Sequence, residues 1–289
     1  MAFCWSLEDA TVGDGFARIL AAQLRRSLAV IDDEAESPAR RIHAVRRRAK
    51  RMRGLLRLVR PGFPDYRAVN RRIRDAASAL SGTRDAAVLR DTLVELCRWS
   101  GHPVPDAAAG PDAQEAEATA LCGFRAQLLD LQHDLPDWSI ADIDAETLAR
   151  GMADEYKAGR RTMHHSQQHP DDDVALHEWR KHVKYLSFHL LLLRRVLPDA
   201  ESQIEATESL ATLLGRHHDL SVLRAALAEG QLGDGLDAGF LRHHARQRQH
   251  RLAAHAFRLG SPLFARHAKD LRHGIMTRWQ DWQATGQDT

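Results

Sequence analysis

Apolar positions recur at helical spacing along nearly the whole chain, and the alternation expected of strands is almost absent. Between residues 42 and 59 they are Ile42, Val45, Ala49, Met52, Leu56 and Val59, a 3-4-3-4-3 series that makes one buried stripe on an α-helix. The series returns 134 positions later as Leu176, Trp179, Val183, Leu186, Leu190 and Leu193, with every position still apolar. The periodicity predicts helices near 13–34, 38–60, 65–80, 84–99 and 112–134 in the first half. In the second half it predicts helices near 144–168, 173–197, 200–215, 218–229, 237–258 and 262–284. Pro38 and Pro61 bracket the second helix, with Ser37 as the expected N-cap ahead of a first-turn proline. "SGHPVPDAAAGP" (100–111) reads as a loop.

The polar positions repeat in the same register. His43, Arg46, Arg47 and Lys50 become His177, Arg180, Lys181 and Lys184. "LSGTRDAAVLRDTL" (80–93) matches "LGRHHDLSVLRAAL" (214–227), including Asp85 with Asp219 and Arg90 with Arg224. Shared helical periodicity accounts for apolar coincidences, but not for His, Arg, Lys and Asp falling in step without a gap. The expected fold class is therefore all-α and internally duplicated, one domain over 1–289 with repeats of 10–138 and 139–289. Short connections favour antiparallel neighbours, hence two helical bundles side by side, related by a pseudo-twofold axis.

Charge changes the picture only locally. The chain has 41 Lys and Arg against 39 Asp and Glu, so no polyanion is held by net charge alone. Yet "RIHAVRRRAKRMRGLLRLVR" (41–60) carries nine Arg or Lys and no acidic residue. Compensating carboxylates lie elsewhere, in "PDAQEAE" (111–117), "ADIDAE" (141–146) and "PDDD" (170–173). Cys4, Cys97 and Cys122 have no metal-ligand spacing and read as reduced thiols. The N-terminus lacks the basic start and apolar run of a signal peptide, and Leu190–Leu193 is too short to span a bilayer. A cytoplasmic protein with no membrane partner is expected.

On the basic helix His43, Arg46, Arg47, Lys50, Arg53 and Arg57 occupy a flank beside the apolar stripe, and His177, Arg180, Lys181 and Lys184 occupy its copy. Like charges at helical i,i+4 spacing cost roughly 0.2–0.5 kcal/mol each unless an anion fills the groove between them. Arg brings forked donors that match phosphate oxygens, and Lys a compact charge. Such a row suits a long, repeating polyanion. A solvated basic face is the plain alternative, and the duplication of the same polar types argues against it. Arg48, Arg51 and Arg60 are expected on the solvent side, and Arg40 and Arg41 fit either role. Asp85 and Asp219 are expected at helix starts, as caps or ion-pair partners, or as carboxylates that orient groove cations. The pairs His164-His165, His217-His218 and His243-His244 point about 100° apart on a helix and do not chelate as units. No phosphate-binding loop, dinucleotide fingerprint, zinc-protease motif or nucleophile elbow occurs. A binder is expected, with no catalytic residue, metal or cofactor.

The duplicated His-x-x-Arg-[Arg/Lys]-x-x-Lys at 43–50 and 177–184, with "LSGTRDAAVL", "LGRHHDLSVL" and the closing "SPLFARHAKDLRHGIMTRWQDWQ", resembles the CHAD family, the conserved histidine α-helical domain. The resemblance runs from about residue 10 to 284. It implies two pseudo-symmetric helical bundles around a basic central groove or pore that binds inorganic polyphosphate, in some members at polyphosphate granules. It implies polyphosphate contacts from His43, Arg46, Arg47, Lys50, His177, Arg180, Lys181 and Lys184. Arg53 and Arg57 extend the first copy, and Arg26, Lys157, Arg160 and Arg161 come from each half's opening helix. Ser187 and Leu191 stand where the first copy has Arg53 and Arg57, so the charged track is asymmetric. Some relatives carry a glutamate-rich CYTH triphosphatase domain; no such segment is found ahead of residue 10, so that activity is not expected. Two other readings remain at this level. One is a nucleic-acid binder using the same flank, and the other is an enzyme acting on phosphate chains.

Overall fold

Ten α-helices form among the described residues of the computed structural model, which are 3–80, 82–104, 114–232 and 236–285. In the first half they are α1 (Val12–Ile31), α2 (Pro38–Val59), α3 (Tyr66–Ser78), α4 (Gly82–Ser100) and α5 (Gln114–Asp134). In the second they are α6 (Ala145–Gln168), α7 (Asp173–Leu192), α8 (Ala200–Ala228), α9 (Ala238–Leu263) and α10 (Ala268–Thr285). No strand occurs among the described residues.

Helix starts follow local chemistry. The side chains of Thr11, Asp144, Asp172 and Asp237 accept from the first-turn N–H groups of α1, α6, α7 and α9, satisfying donors that a helix leaves open. Ser37 makes no such cap bond. At α2 the preformed φ of Pro38 starts the helix instead.

Four elements depart from the periodicity reading, among them α10, which starts at Ala268, six residues later than expected. The two helices expected at 200–215 and 218–229 are one continuous α8, because "LGRHHD" contains no proline and a single Gly215 costs only about 1 kcal/mol. α7 ends at Leu192, five residues earlier than the apolar run suggests. α9 runs on through Pro262 in its last turn and ends only at Leu263.

The stripes of α2 and α7 enter one core. Ile42, Val45, Ala49, Met52, Leu56 and Val59 are buried together with Leu176, Trp179, Val183, Leu186, Leu190 and Leu193. At about 1.5–3 kcal/mol for each large side chain, this shared core is the main favourable term holding the halves together. The bundles are thus not two separately cored units. α4 makes the point again, for its Leu93, Leu96 and Cys97 pack on Leu220, Leu223, Leu227, Leu241 and Ala245 of α8 and α9.

Close approach fixes how α2 meets α7. A Cβ on Gly54 would stand 2.8 Å from the Phe188 ring, so only glycine admits α7 at this distance. Beside it the fully buried His189 donates from Nε2 to the Gly54 carbonyl at 3.0 Å. Burial pushes the pKa of His189 down to about 4, so the ring is a neutral donor.

Candidate functional site

With their stripes in the core, α2 and α7 present their adjoining polar flanks to an open cleft closed on its third side by α8. Its volume is about 580 Å³. From α2 it is lined by His43, Arg47, Lys50 and Arg51, from α7 by Arg180, Lys184 and Ser187, and from α8 by Glu208, Arg216 and Asp219. Six Arg or Lys side chains thus face two carboxylates. The Arg180 guanidinium lies against α8 at Gly215, where even an added Cβ would be 3.7 Å from its Nε.

The cations feel one another. Arg51 is half-buried, and its pKa is lowered first by burial and then by Arg47, with Glu208 opposing and Arg26 adding to the effect. Arg48 is lowered by burial and by Arg26, Arg51 and Arg47. Both are therefore packed into the charged cluster, where the helical pattern had placed them toward solvent. Arg51 also lies 5.6 Å from the Phe3 ring centroid. The like charges are held close by the packing beneath them, with Glu208 the carboxylate that opposes them at Arg51.

The structure sorts the expected site residues. His43, Arg47, Lys50, Arg180, Lys184 and Asp219 meet in the cleft. Arg26 joins through its electrostatic contact with Arg48 and Arg51. Arg46 donates to the Leu80 carbonyl at 2.9 Å and, with Lys50 and Arg53, lines a smaller recess toward α3. Arg53 donates to Asn70 at 3.1 Å. Arg57 pairs with Glu155 at 3.0 Å and lies 4.3 Å over the Tyr185 ring, inside the α2–α6–α7 packing. His177 faces His218, Nδ1 to Nδ1, at 3.1 Å. Lys181 is exposed and paired with Glu178 on its own helix. Arg160 donates to the Arg266 carbonyl at 3.1 Å, away from the cleft, and Lys157 and Arg161 are exposed on the same helix α6.

Asp219 lies inside the continuous α8 and not at a helix start, so no helix dipole favours its charge. It lies between the cleft and a neighbouring recess lined by Asp91, Glu95, Arg216 and Arg248. Asp85 falls in the opening turns of α4, where side chains lie outside the described residues. Burial, His177 and Arg180 together push His218 down to about 4, and burial followed by Arg180 and Lys181 lowers His177. Both rings are neutral at pH 7 and offer one N–H each. His217 is buried, with Nε2 3.9 Å from Asp173. Among the described residues no group of three His, Cys, Asp or Glu side chains is arranged to hold a metal ion.

Sequence reasoning missed Arg51, Glu208 and Arg216. A helical wheel would have found Arg51, four residues after Arg47 on the same edge. Arg216 replaces Gly82 in the repeat register, so nothing in the duplication points to it. Ser187 and Leu191 do line the cleft, whereas Arg53 and Arg57, their counterparts in the first copy, do not.

A family model described as the CHAD domain matches residues 17–228. The crystal structure of the CHAD domain from the plant Ricinus communis superposes with a TM-score of 0.59. That alignment covers 96% of this chain and 95% of that chain at 18% sequence identity, a likeness of fold. None of the curated proteins matches the sequence. No helix among the described residues is long and apolar enough to cross a membrane.

Proposed function

The chain belongs to the CHAD family, and on that premise we propose that it binds inorganic polyphosphate, without chemistry on it, in the cleft between α2, α7 and α8. One observation carries the reading: Arg47, Lys50 and Arg51 of α2 converge with Arg180 and Lys184 of α7 and Arg216 of α8 on one open cleft. Helical spacing sets such cations about 5–6 Å apart, which suits a chain of linked phosphates. Bound phosphate relieves the repulsion among Arg26, Arg47, Arg48 and Arg51, and Arg supplies forked donors to each oxygen pair. His43 adds a donor at one wall. Glu208 and Asp219 act as the carboxylates that orient neighbouring cations.

The same reading takes the cleft as the product of an internal duplication. α1 with α6 and α2 with α7 begin within a few residues of the 134-residue offset, and α8 spans the counterparts of both α3 and α4. The two repeats then supply facing walls, the second with less charge because Ser187 and Leu191 occupy it.

Calorimetric titration with polyphosphate of defined length, beside ATP and DNA, tests the reading. Long polyphosphate is expected to bind most tightly, with affinity falling steeply as salt rises. Arg47→Ala with Arg180→Ala removes two charge-assisted contacts of about 1.5 kcal/mol each, so affinity drops about 100-fold. Arg40→Ala, on the exposed first turn beside Glu36, leaves it unchanged. Equal losses from the two variants, or no binding of long polyphosphate at low salt, overturn the assignment.

A further inference from the structure

The second dense run of positive residues lies on α9, outside the cleft. From Ala238 to Leu263 this helix carries five Arg and four His and no Asp or Glu. Phe240, His244, Arg248, Arg251, His255 and Arg258 follow one another at three- and four-residue steps, so they form one stripe about 27 Å long at ~1.5 Å per residue. Arg251, His255 and Arg258 are exposed along it.

At the N-terminal end the stripe meets an aromatic group. Trp99, near the end of α4, keeps 37% of its surface exposed. The Arg251 guanidinium lies 5.4 Å from its ring centroid and that of Arg248 5.9 Å. The His244 ring stands edge-on at 6.2 Å, and Phe240 packs on His244 at 4.0 Å. Carboxylates touch the margins of this surface: Glu95 pairs with Arg248, and Asp171 with Arg246 and His250. Arg251, His255 and Arg258 follow those pairs toward the C-terminal end of α9.

We propose that the α4–α9 surface, with Trp99 as a stacking platform and Arg251 and Arg258 as phosphate contacts, binds single-stranded nucleic acid. Cations spaced along a helix beside an exposed indole combine the two elements that single-strand binding uses, a charged track and a π-face on which a base stacks. Inorganic polyphosphate has no π-face, so the exposed indole of Trp99 gives this surface a preference for bases, whereas the aromatic ring that lines the cleft, Phe188, packs against Gly54. The inference does not rest on the polyphosphate reading: neither Trp99 nor any residue of α9 lines the cleft, although Arg248 lines the recess beside it.

Fluorescence anisotropy of a labelled oligodeoxythymidylate of about 12 nucleotides, titrated with the full chain, tests it. Trp99→Ala is expected to weaken binding about tenfold, and Trp99→Phe to restore most of it, as stacking on an aromatic face requires. Arg251→Ala with Arg258→Ala, two exposed changes that do not disturb the core, is expected to weaken it about tenfold and flatten its salt dependence. The cleft pair Arg47→Ala with Arg180→Ala should change it less than about twofold. Unchanged affinity in Trp99→Ala or in the α9 pair, or an equal loss in the cleft pair, overturns the proposal. So does equally effective displacement of the oligonucleotide by poly-L-glutamate of matched charge. Failure of the unaltered chain to bind the oligonucleotide while it still binds polyphosphate would sink this inference and spare the cleft; oligonucleotide binding without polyphosphate binding would do the opposite.

Discussion

The two ends of α2 carry the same residue type in different surroundings. Toward the C-terminus Arg53 donates to Asn70, Arg57 to Glu155 and Arg60 to Asp154, all on other helices. Toward the N-terminus Arg47, Lys50 and Arg51 line an open cleft with Arg180, Lys184 and Arg216. Electrostatics separates the ends. Arg51 and Arg57 are both partly buried, which by itself lowers an arginine pKa, yet Arg57 ends raised because Glu155, Tyr66 and Tyr185 together outweigh burial, while Arg51 ends lowered because Arg47 adds to burial. A cation beside a buried carboxylate holds the fold together. Arg51 instead stands among other cations, with Glu208 opposing them, at the wall of an open cleft.

The largest effect that separates the ends should come from Glu155→Ala. This side chain is buried, and although burial pushes its pKa up, His182 and Arg57 hold it below the usual carboxylate range. Removing it strands Arg57, and stability measured by urea unfolding should fall by about 3–5 kcal/mol. Polyphosphate affinity of the folded protein should not change. A loss below about 1 kcal/mol would erase the distinction between the two ends.

Acid comes next. His189 titrates near 4 in the fold and near 6.5 in the unfolded chain, so below pH 6.5 the unfolded state takes a proton that the fold refuses. The contribution is complete above 6.5 and lost as pH falls toward 4, about 3 kcal/mol in all. Urea midpoints from pH 7 to pH 4.5 should show it, and His189→Gln should flatten the slope. His218 shifts in the same direction but lies beside Arg180 and the cleft, so bound polyphosphate should reduce its share and leave that of His189 intact.

A smaller change tests the cleft end directly. Arg51→Ala should weaken polyphosphate binding about tenfold, the loss of about 1.4 kcal/mol. Stability should stay level or rise slightly, because a cation leaves the Arg26–Arg47–Arg48 cluster. Parallel calorimetry and urea unfolding read the two quantities, and a clear drop in stability would class Arg51 with Arg57. Smallest of all, Lys181→Ala removes an exposed pair with Glu178 on the same helix. It should shift both quantities by less than about 0.5 kcal/mol.

How far the sequence could be read depends on the distance over which each signal acts. The stripes of α2 and α7 were legible because 3.6-residue periodicity is local, and all twelve positions are buried. α8 was misread as two helices because Gly215 and adjacent histidines look like a break, although one glycine does not end a helix whose flanks are buried against α7 and α9. The repeat register singled out Arg46 and Arg47 alike. They point about 100° apart, and Arg46 donates to the Leu80 carbonyl while Arg47 lines the cleft. Arg57 joined the expected track because Glu155, 98 residues away, leaves no mark near it in sequence.

The sequence alone determined the helical class, the apolar faces, the dense basic run on α2 and the matched polar positions on α7, because spacing and residue type are written along the chain. Only the tertiary structure decided which of those cations share a cleft, which are held by carboxylates from other helices, and that Arg216 and Trp99 belong to charged surfaces. Those outcomes depend on how helices far apart in sequence come within a few ångströms, as Gly54 and Phe188 do, and on the depth at which each charge is then held.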